Sequence, residues 1–425
     1  MQRRRFLHAL WSTSAMGCLG TAHALTPAGQ SGHKLVVVML RGAVDGLSVV
    51  VPFAESHYRE ARSTIALAAP GTGEDALLPL DRQFGLHPSL ARLHAFWGKG
   101  QLGFVHASGS PDPTRSHFDA QDYMETGTPG RKSTPDGWMN RLLTQMPGPA
   151  SPTRAVNMGA TPPRIFAGPA AVASLGLGPR AFEAKAIDDP QVQAALAKLY
   201  GGADALGRTF RETAESRSDM SRSMAAASDR SRGSGQGMDN GRSSDPSADN
   251  GAPTARGFAA DAKRLGQLIQ ADPNTQLAFT SVGGWDTHVN QGGARGQLAN
   301  RLASLGEGLE SLVQGLGEAY ERTVIVVMSE FGRTVRQNGT GGTDHGRGNV
   351  MWLLGGPVAG GRVLGSWPGL DRAALVDGRD LAVTTDFRAV LAPVLQRHLG
   401  VGDAALSQVF PNFNGSTFPT DLIKA

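Results

Sequence analysis

The chain has 425 residues, with 41 Lys and Arg against 37 Asp and Glu and a formal charge of +4. Three of the arginines, Arg3, Arg4 and Arg5, fall in the N-terminal segment, so the charge balance gives no case for nucleic acid binding. The single cysteine, Cys18, also lies there, which excludes disulfides, cysteine nucleophiles and thiolate metal sites from the rest of the chain. Any metal must be held by His, Asp and Glu.

In chain order, Met1 to His8 form a basic stretch, a mostly apolar run follows to about Gly20, and Ala22-His23-Ala24 offers a small-residue cleavage site. Arg3-Arg4 followed by one residue and Phe6-Leu7 reads as a twin-arginine signal over residues 1–24. Ser12, Thr13 and Ser14 weaken the apolar run, which falls short of the roughly 18 to 20 apolar residues of a membrane span. A second reading lipidates Cys18 after Ala15-Met16-Gly17, with Ala rather than Leu three residues before the cysteine. The expected location is the periplasm or beyond, with the twin-arginine translocase as partner during export. No later stretch is long and apolar enough to span a membrane.

Five short apolar runs read as buried strands of a parallel sheet: Lys34 to Leu40, Gln101 to Ala107, Thr275 to Val282, Thr323 to Met328 and Val350 to Leu354. Ala259 to Gln270 and Gln297 to Tyr320 repeat Leu at helical spacing. A third helix is expected after Thr385-Asp386, with Thr385 as its N-cap. Strands alternating with helices predict one α/β domain over residues 25–425, a mostly parallel sheet between helical layers. Residues 213–256 are mostly Ser, Gly, Asp, Arg, Asn and Ala, a composition that predicts a disordered insertion.

In such sheets functional residues gather beyond the carboxyl ends of the strands. The residues there are Asp45 after the first run, Asp286 and His288 after the third, and Glu330 after the fourth; Asp344 and His345 precede the fifth. That is a ligand set for one or two divalent ions, with Zn, Mn, Mg or Ca all open. Asp286 and His288 stand two apart, so on extended backbone they face the same side. Each segment also has a plainer reading: Asp45-Gly46 and Asp344-His345 as turns, Asp286 as a cap, Glu330 as a partner of Arg333 or Arg336. After the second run, Arg115-Ser116-His117-Phe118-Asp119 opens a helix ending at Gly127. Ser116 is either a nucleophile in the positive field of the helix end or an N-cap with Asp119 at the third position.

Arg41-Gly42 with Asp45-Gly46, Arg115 to Asp119, Gly284-Trp285-Asp286-Thr287-His288, Ser329 to Thr334 and Thr343 to Gly346 together resemble the family called domain of unknown function 1501. The resemblance runs from about Lys34 to about His398 and links the chain to the alkaline phosphatase superfamily, with its sulfatases and phosphodiesterases. It implies an alkaline-phosphatase/sulfatase-like fold with Ser116 as nucleophile. Asp286, His288 and His345 would hold a first metal, and Asp45 and Glu330 a second. Phe331 stands where the superfamily has a metal-binding histidine, a gap that Asp344, His117 or Asp119 could fill. The expected function is an exported metal-dependent hydrolase of phosphate or sulfate esters, with Arg115 or Arg333 neutralising the substrate anion. The alternative is an envelope protein that binds a ligand or partner without turnover.

Overall fold

Runs of Val, Ile and Leu become strands here because both faces of the sheet are buried and branched side chains fill them. A computed structural model gives the coordinates and describes residues 32–148, 151–159, 162–178, 189–202, 204, 207, 211, 246–415 and 420–424. The signal assigned to 1–24, Cys18 within it, and residues 213–245 of the insertion lie outside the described residues.

Among the described residues the main sheet has nine strands: β1 (Lys34–Leu40), β2 (Leu102–Gly109), β3 (Ala155–Met158), β4 (Ala173–Leu175), β5 (Leu277–Val282), β6 (Thr323–Ser329), β7 (Asn349–Leu354), β8 (Val363–Leu364) and β9 (Thr385–Asp386). Their order across the sheet is β8-β2-β7-β6-β1-β5-β3-β4, with β9 also paired to β2. All five expected runs are strands. β3, β4, β8 and β9 are only two to four residues long, too short to stand out as apolar runs. Three further two-residue strands, Val50–Val51, Leu78–Pro79 and Gly85–Leu86, form a small antiparallel sheet.

β1 lies at the centre, parallel to both β5 and β6. Its side chains alternate between two cores. Val36, Val38 and Leu40 join one, and Leu35, Val37 and Met39 join the other. The first core is closed by α1 (Ala91–Gly98), α4 (Phe258–Ala271) and α5 (Gln297–Leu316); the second by α2 (His117–Thr126), α3 (Trp138–Gln145), α6 (Phe387–Pro393) and α7 (Asp403–Val409). Helical layers on both faces are what a sheet with no solvated side requires. The α4–α5 contact is close because glycines face backbone: a Cβ on Gly266 would lie 2.5 Å from the Leu312 carbonyl, and one on Gly315 2.3 Å from that of Lys263.

The structure corrects the sequence reading in four places. β7 runs antiparallel to both neighbours, pairing Met351 with Val105 and Leu353 with Val326. No helix lies between β6 and β7, and a parallel return needs a crossover of a dozen or more residues, usually helical. The helix expected to reach Tyr320 ends at Leu316 and gives way to a 3-10 stretch over Gly317–Arg322. The cap of α6 is Asp386 rather than Thr385, since its carboxylate accepts the Arg388 amide at 2.9 Å. The last part of the insertion, from 246 to 256, is ordered against the domain: Pro246–Asp249 form a helical turn, and Ala248 and Asp249 are buried. Asp249 Oδ1 accepts the Gly284 amide at 2.7 Å, a partner that composition cannot reveal.

Candidate metal centre

Five chain segments meet at the carboxyl edge of the sheet. The loop after β1 supplies Gly42, Ala43 and Asp45, and the loop after β5 supplies Asp286 and His288. Gly42 has φ +104°, and a Cβ there would lie 2.8 Å from the Asp286 amide nitrogen, so only glycine lets these loops approach so closely. α2 begins at His117 with Ser116 as its N-cap. Glu330 follows β6. His345 arrives from a ribbon folded back over the β6 loop, with Thr334 N donating to Asp344 O at 2.9 Å and Gly346 N to Gly332 O at 2.8 Å. Because β7 is antiparallel, the residues before it lie at the same edge as the residues after β1, β5 and β6.

Four donor atoms converge there. His345 Nε2 lies 3.0 Å from His117 Nε2 and 3.0 Å from His288 Nε2. Asp286 Oδ1 lies 3.0 Å from His288 Nε2, 3.3 Å from His345 Nε2 and 3.7 Å from His117 Nε2. His117, Asp286 and His345 form a group close enough to share one ion, with edges of 3.0, 3.3 and 3.7 Å against the roughly 3.3 Å expected between ligands whose bonds are near 2.0–2.1 Å. His288 adjoins it through Asp286 and His345.

The outer ring nitrogens make the case sharper. His117 Nδ1 lies 2.8 Å from Glu330 Oε1, His288 Nδ1 3.0 Å from Asp344 Oδ1, and His345 Nδ1 2.9 Å from the Arg115 carbonyl. Each partner accepts only, so each neutral imidazole donates outward from Nδ1 and turns the lone pair of Nε2 inward. Three lone pairs and a carboxylate oxygen facing one point repel one another unless a cation sits between them. Without a metal a proton serves: burial opposes charge on His117, yet hydrogen bonds to Asp286 and Glu330 and their negative charges carry its pKa up to about 9. Burial would raise the Asp286 carboxyl, but His117, His345 and Arg333 hold it far below the usual carboxylate range. Glu330 is likewise held low, against full burial, by His117 and Gln121. The donor set suits a transition-metal dication, and its carboxylate–histidine couples are the usual outer support of such an ion.

Asp286, His288 and His345 are thus brought to one point. Glu330 and Asp344 stand one layer out, behind His117 and His288. Asp45 is not among the converging atoms: its carboxylate accepts from Arg62 Nη1 at 2.5 Å and Nη2 at 3.0 Å, from Ser48 at 2.8 Å and from Gln291 at 2.7 Å. Arg333 is wholly enclosed, its side chain 0% exposed. It donates to the carbonyls of Ala43 at 2.7 Å, Thr343 at 3.1 Å, Gly42 at 2.5 Å and Trp285 at 3.2 Å, and to Asp286 Oδ1 at 2.5 Å. Arg333 therefore ties loops together and, fully enclosed, presents no surface to a substrate. Arg115 is a third exposed at the rim and pairs with Asp380. Ser116 is exposed, and its hydroxyl accepts the Asp119 amide at 3.4 Å.

Arg62 was not among the site residues read from the sequence, and His117 entered only as one of three residues able to compensate for the histidine missing at Phe331. His117 had a signal, since it stands in the Arg-Ser-His-Phe-Asp segment that follows a strand and opens a helix. Arg62 had none, because nothing local ties it to Asp45.

No curated protein matches the chain. The family model described as protein of unknown function (DUF1501) matches residues 33–410. Among solved structures, the chain is similar to the PsFucS1 sulfatase from Pseudoalteromonas sp., at 14% identity and TM-score 0.39, covering 92% of this chain and 72% of that one. It is similar to the C-terminal periplasmic domain of EcEptC from Escherichia coli, at 13% identity and TM-score 0.38, covering 91% and 88%. It is also similar to the alkaline phosphatase of the Antarctic bacterium TAB5, at 12% identity and TM-score 0.31, covering 78% and 93%. All three likenesses are remote.

Proposed function

The chain belongs to the DUF1501 family, and from that premise we propose that it is an exported, metal-dependent hydrolase of phosphate or sulfate esters. The observation that carries the metal is the convergence of three imidazole Nε2 atoms on Asp286 Oδ1, each ring committed outward through Nδ1. His117, His288, His345 and Asp286 would hold the ion, which supplies Lewis acidity toward an ester oxygen and lowers the pKa of a bound hydroxyl. The ester class rests on the resemblance of the five motifs to the alkaline phosphatase superfamily.

Around the ion, each residue has a task. Glu330 fixes His117 in the tautomer that binds metal, and Asp344 does so for His288. Ser116, one residue before His117 and exposed at the start of α2, is the candidate nucleophile, with the helix end favouring negative charge on its oxygen. Arg115 at the rim is the candidate partner of the substrate anion. Export rests on the twin-arginine pattern of Arg3 to Leu7. Among the described residues no helix is long and apolar enough to cross a membrane.

The test is metal content by elemental analysis of protein purified from the periplasm, followed by hydrolysis of aryl phosphates, phosphodiesters and aryl sulfates in Mn²⁺ or Zn²⁺. Ser116→Ala is expected to keep the metal and lose turnover. A metal-free protein from the periplasm, inert after reconstitution, overturns the proposal.

One observation favours a second reading, a binding protein without turnover. Two residues with expected ester-handling or metal roles, Asp45 and Arg333, are consumed by internal bonds. Metal uptake with no hydrolysis of any ester class would select it.

A further inference from the structure

We infer that the centre takes one divalent ion only, of the imidazole-selecting transition class, because buried guanidinium groups already hold Asp45 and Asp286, two of the carboxylates that a second ion would need. The inference rests on the metal reading above and decides its stoichiometry and its metal class.

The carboxylates Asp45 and Glu330 already accept from buried donors. A carboxylate has about four acceptor positions. On Asp45, Oδ2 accepts from Arg62 Nη1, the Ser48 hydroxyl and the Gln291 amide and Oδ1 from Arg62 Nη2, and both side chains of the Arg62–Asp45 pair are 0% exposed. Arg62 is itself pinned by the Val335 carbonyl at 2.9 Å and the Thr334 carbonyl at 3.0 Å. For Asp45 to bind an ion, this cation would have to leave its carboxylate while staying buried, and an uncompensated buried charge is costly. Glu330 is engaged mainly through one oxygen. Its Oε1 accepts from Gly42 N at 2.8 Å, His117 Nδ1 at 2.8 Å and Gln121 Nε2 at 3.0 Å, and the Ser329 hydroxyl lies 2.9 Å from Oε2.

Arg333 completes the picture. It donates at 2.5 Å to Asp286 Oδ1, the same oxygen that faces the three histidines. A fixed positive charge thus already shares the one carboxylate of the centre, and a second dication beside it would meet its repulsion. Among the described residues, the four converging atoms are three nitrogens and one oxygen. Mg²⁺ and Ca²⁺ favour oxygen ligands, whereas Zn²⁺, Fe²⁺ and Co²⁺ accept imidazole.

Titration of the metal-free protein with Co²⁺, read by its visible absorption bands, tests this on the unaltered chain. The bands are expected to saturate at one equivalent, to vanish on adding one equivalent of Zn²⁺, and to persist in a large excess of Mg²⁺ or Ca²⁺. His288→Ala is expected to weaken or remove the bands. Saturation at two equivalents, or displacement by Mg²⁺ or Ca²⁺, overturns the inference even if esters are hydrolysed. Saturation at one equivalent with no hydrolysis leaves the inference standing and removes the hydrolase reading. No uptake at all removes both.

Discussion

His117, His288 and His345 differ little as amino acids in a sequence, but the atom behind each ring decides its chemistry. A neutral imidazole with Nδ1 tied to a carboxylate or carbonyl can present only a lone pair at Nε2. His345→Ala removes the ligand nearest both other histidines, and metal content is expected to fall to background while the circular dichroism spectrum is retained. Asp286→Asn keeps an oxygen for Arg333 but removes the negative charge from the centre, and the same loss of metal is expected. Glu330→Gln is the subtler change, since it keeps size and removes the full acceptor that orients His117. Metal affinity measured by competition with a chromophoric chelator is expected to drop roughly 10- to 100-fold, the usual effect of losing an outer carboxylate. Unchanged affinity would show that His117 needs no such support. These residues could be picked out in the sequence as His, Asp and Glu beside apolar runs. Which of them bind directly and which stand behind could not, because that depends on distances of a few ångströms between segments far apart in the chain.

At the level of elements, the site depends on how closely two loops approach and on the direction of one strand. Gly42 joins β1 to the site with φ +104° and no room for a Cβ beside the Asp286 amide. Gly42→Ala is expected to destabilise the chain by more than about 1 kcal/mol and to weaken metal binding by displacing Asp286. A urea midpoint and a metal titration on the same preparation check both effects, and an unchanged metal affinity would mean that the two loops are not coupled. The direction of β7 matters as much. The run Val350 to Leu354 looks the same in a parallel or an antiparallel sheet, since a strand buried on both faces carries no mark of its direction. What sets the direction is the connection from Glu330 to Gly348, which folds back on itself through the Thr334–Asp344 bond instead of crossing over as a helix. A parallel β7 would have carried His345 to the opposite edge, away from Asp286.

Across the whole molecule, the chain is expected to lose stability as acid is added, for reasons outside the centre. His87, His106 and His398 are buried, and burial is the main cause that lowers each pKa from 6.5 to about 4, against hydrogen bonds to the carbonyls of Gly293, Val50 and Lys34. His87 and His106 also accept a backbone amide on Nδ1, so they must stay neutral to keep both bonds. Below pH 6.5 the unfolded chain binds protons that the folded chain refuses, so this contribution is intact above 6.5 and is lost as pH falls toward about 4. Urea midpoints measured from pH 7 to 4 are expected to fall through that window, and a flat profile would show that these imidazoles titrate normally. By itself the sequence determined the layered architecture, the absence of any thiolate chemistry outside the N-terminal segment, and the pool of residues able to hold a metal. Those follow from local hydrophobic pattern and residue chemistry, which need no partner to be read. The tertiary structure alone decided that Arg62 takes Asp45, that Arg333 is enclosed and that His117 joins the centre. Pairing is a matter of geometry between distant segments, and a buried carboxylate is claimed by whichever cation the fold brings within reach.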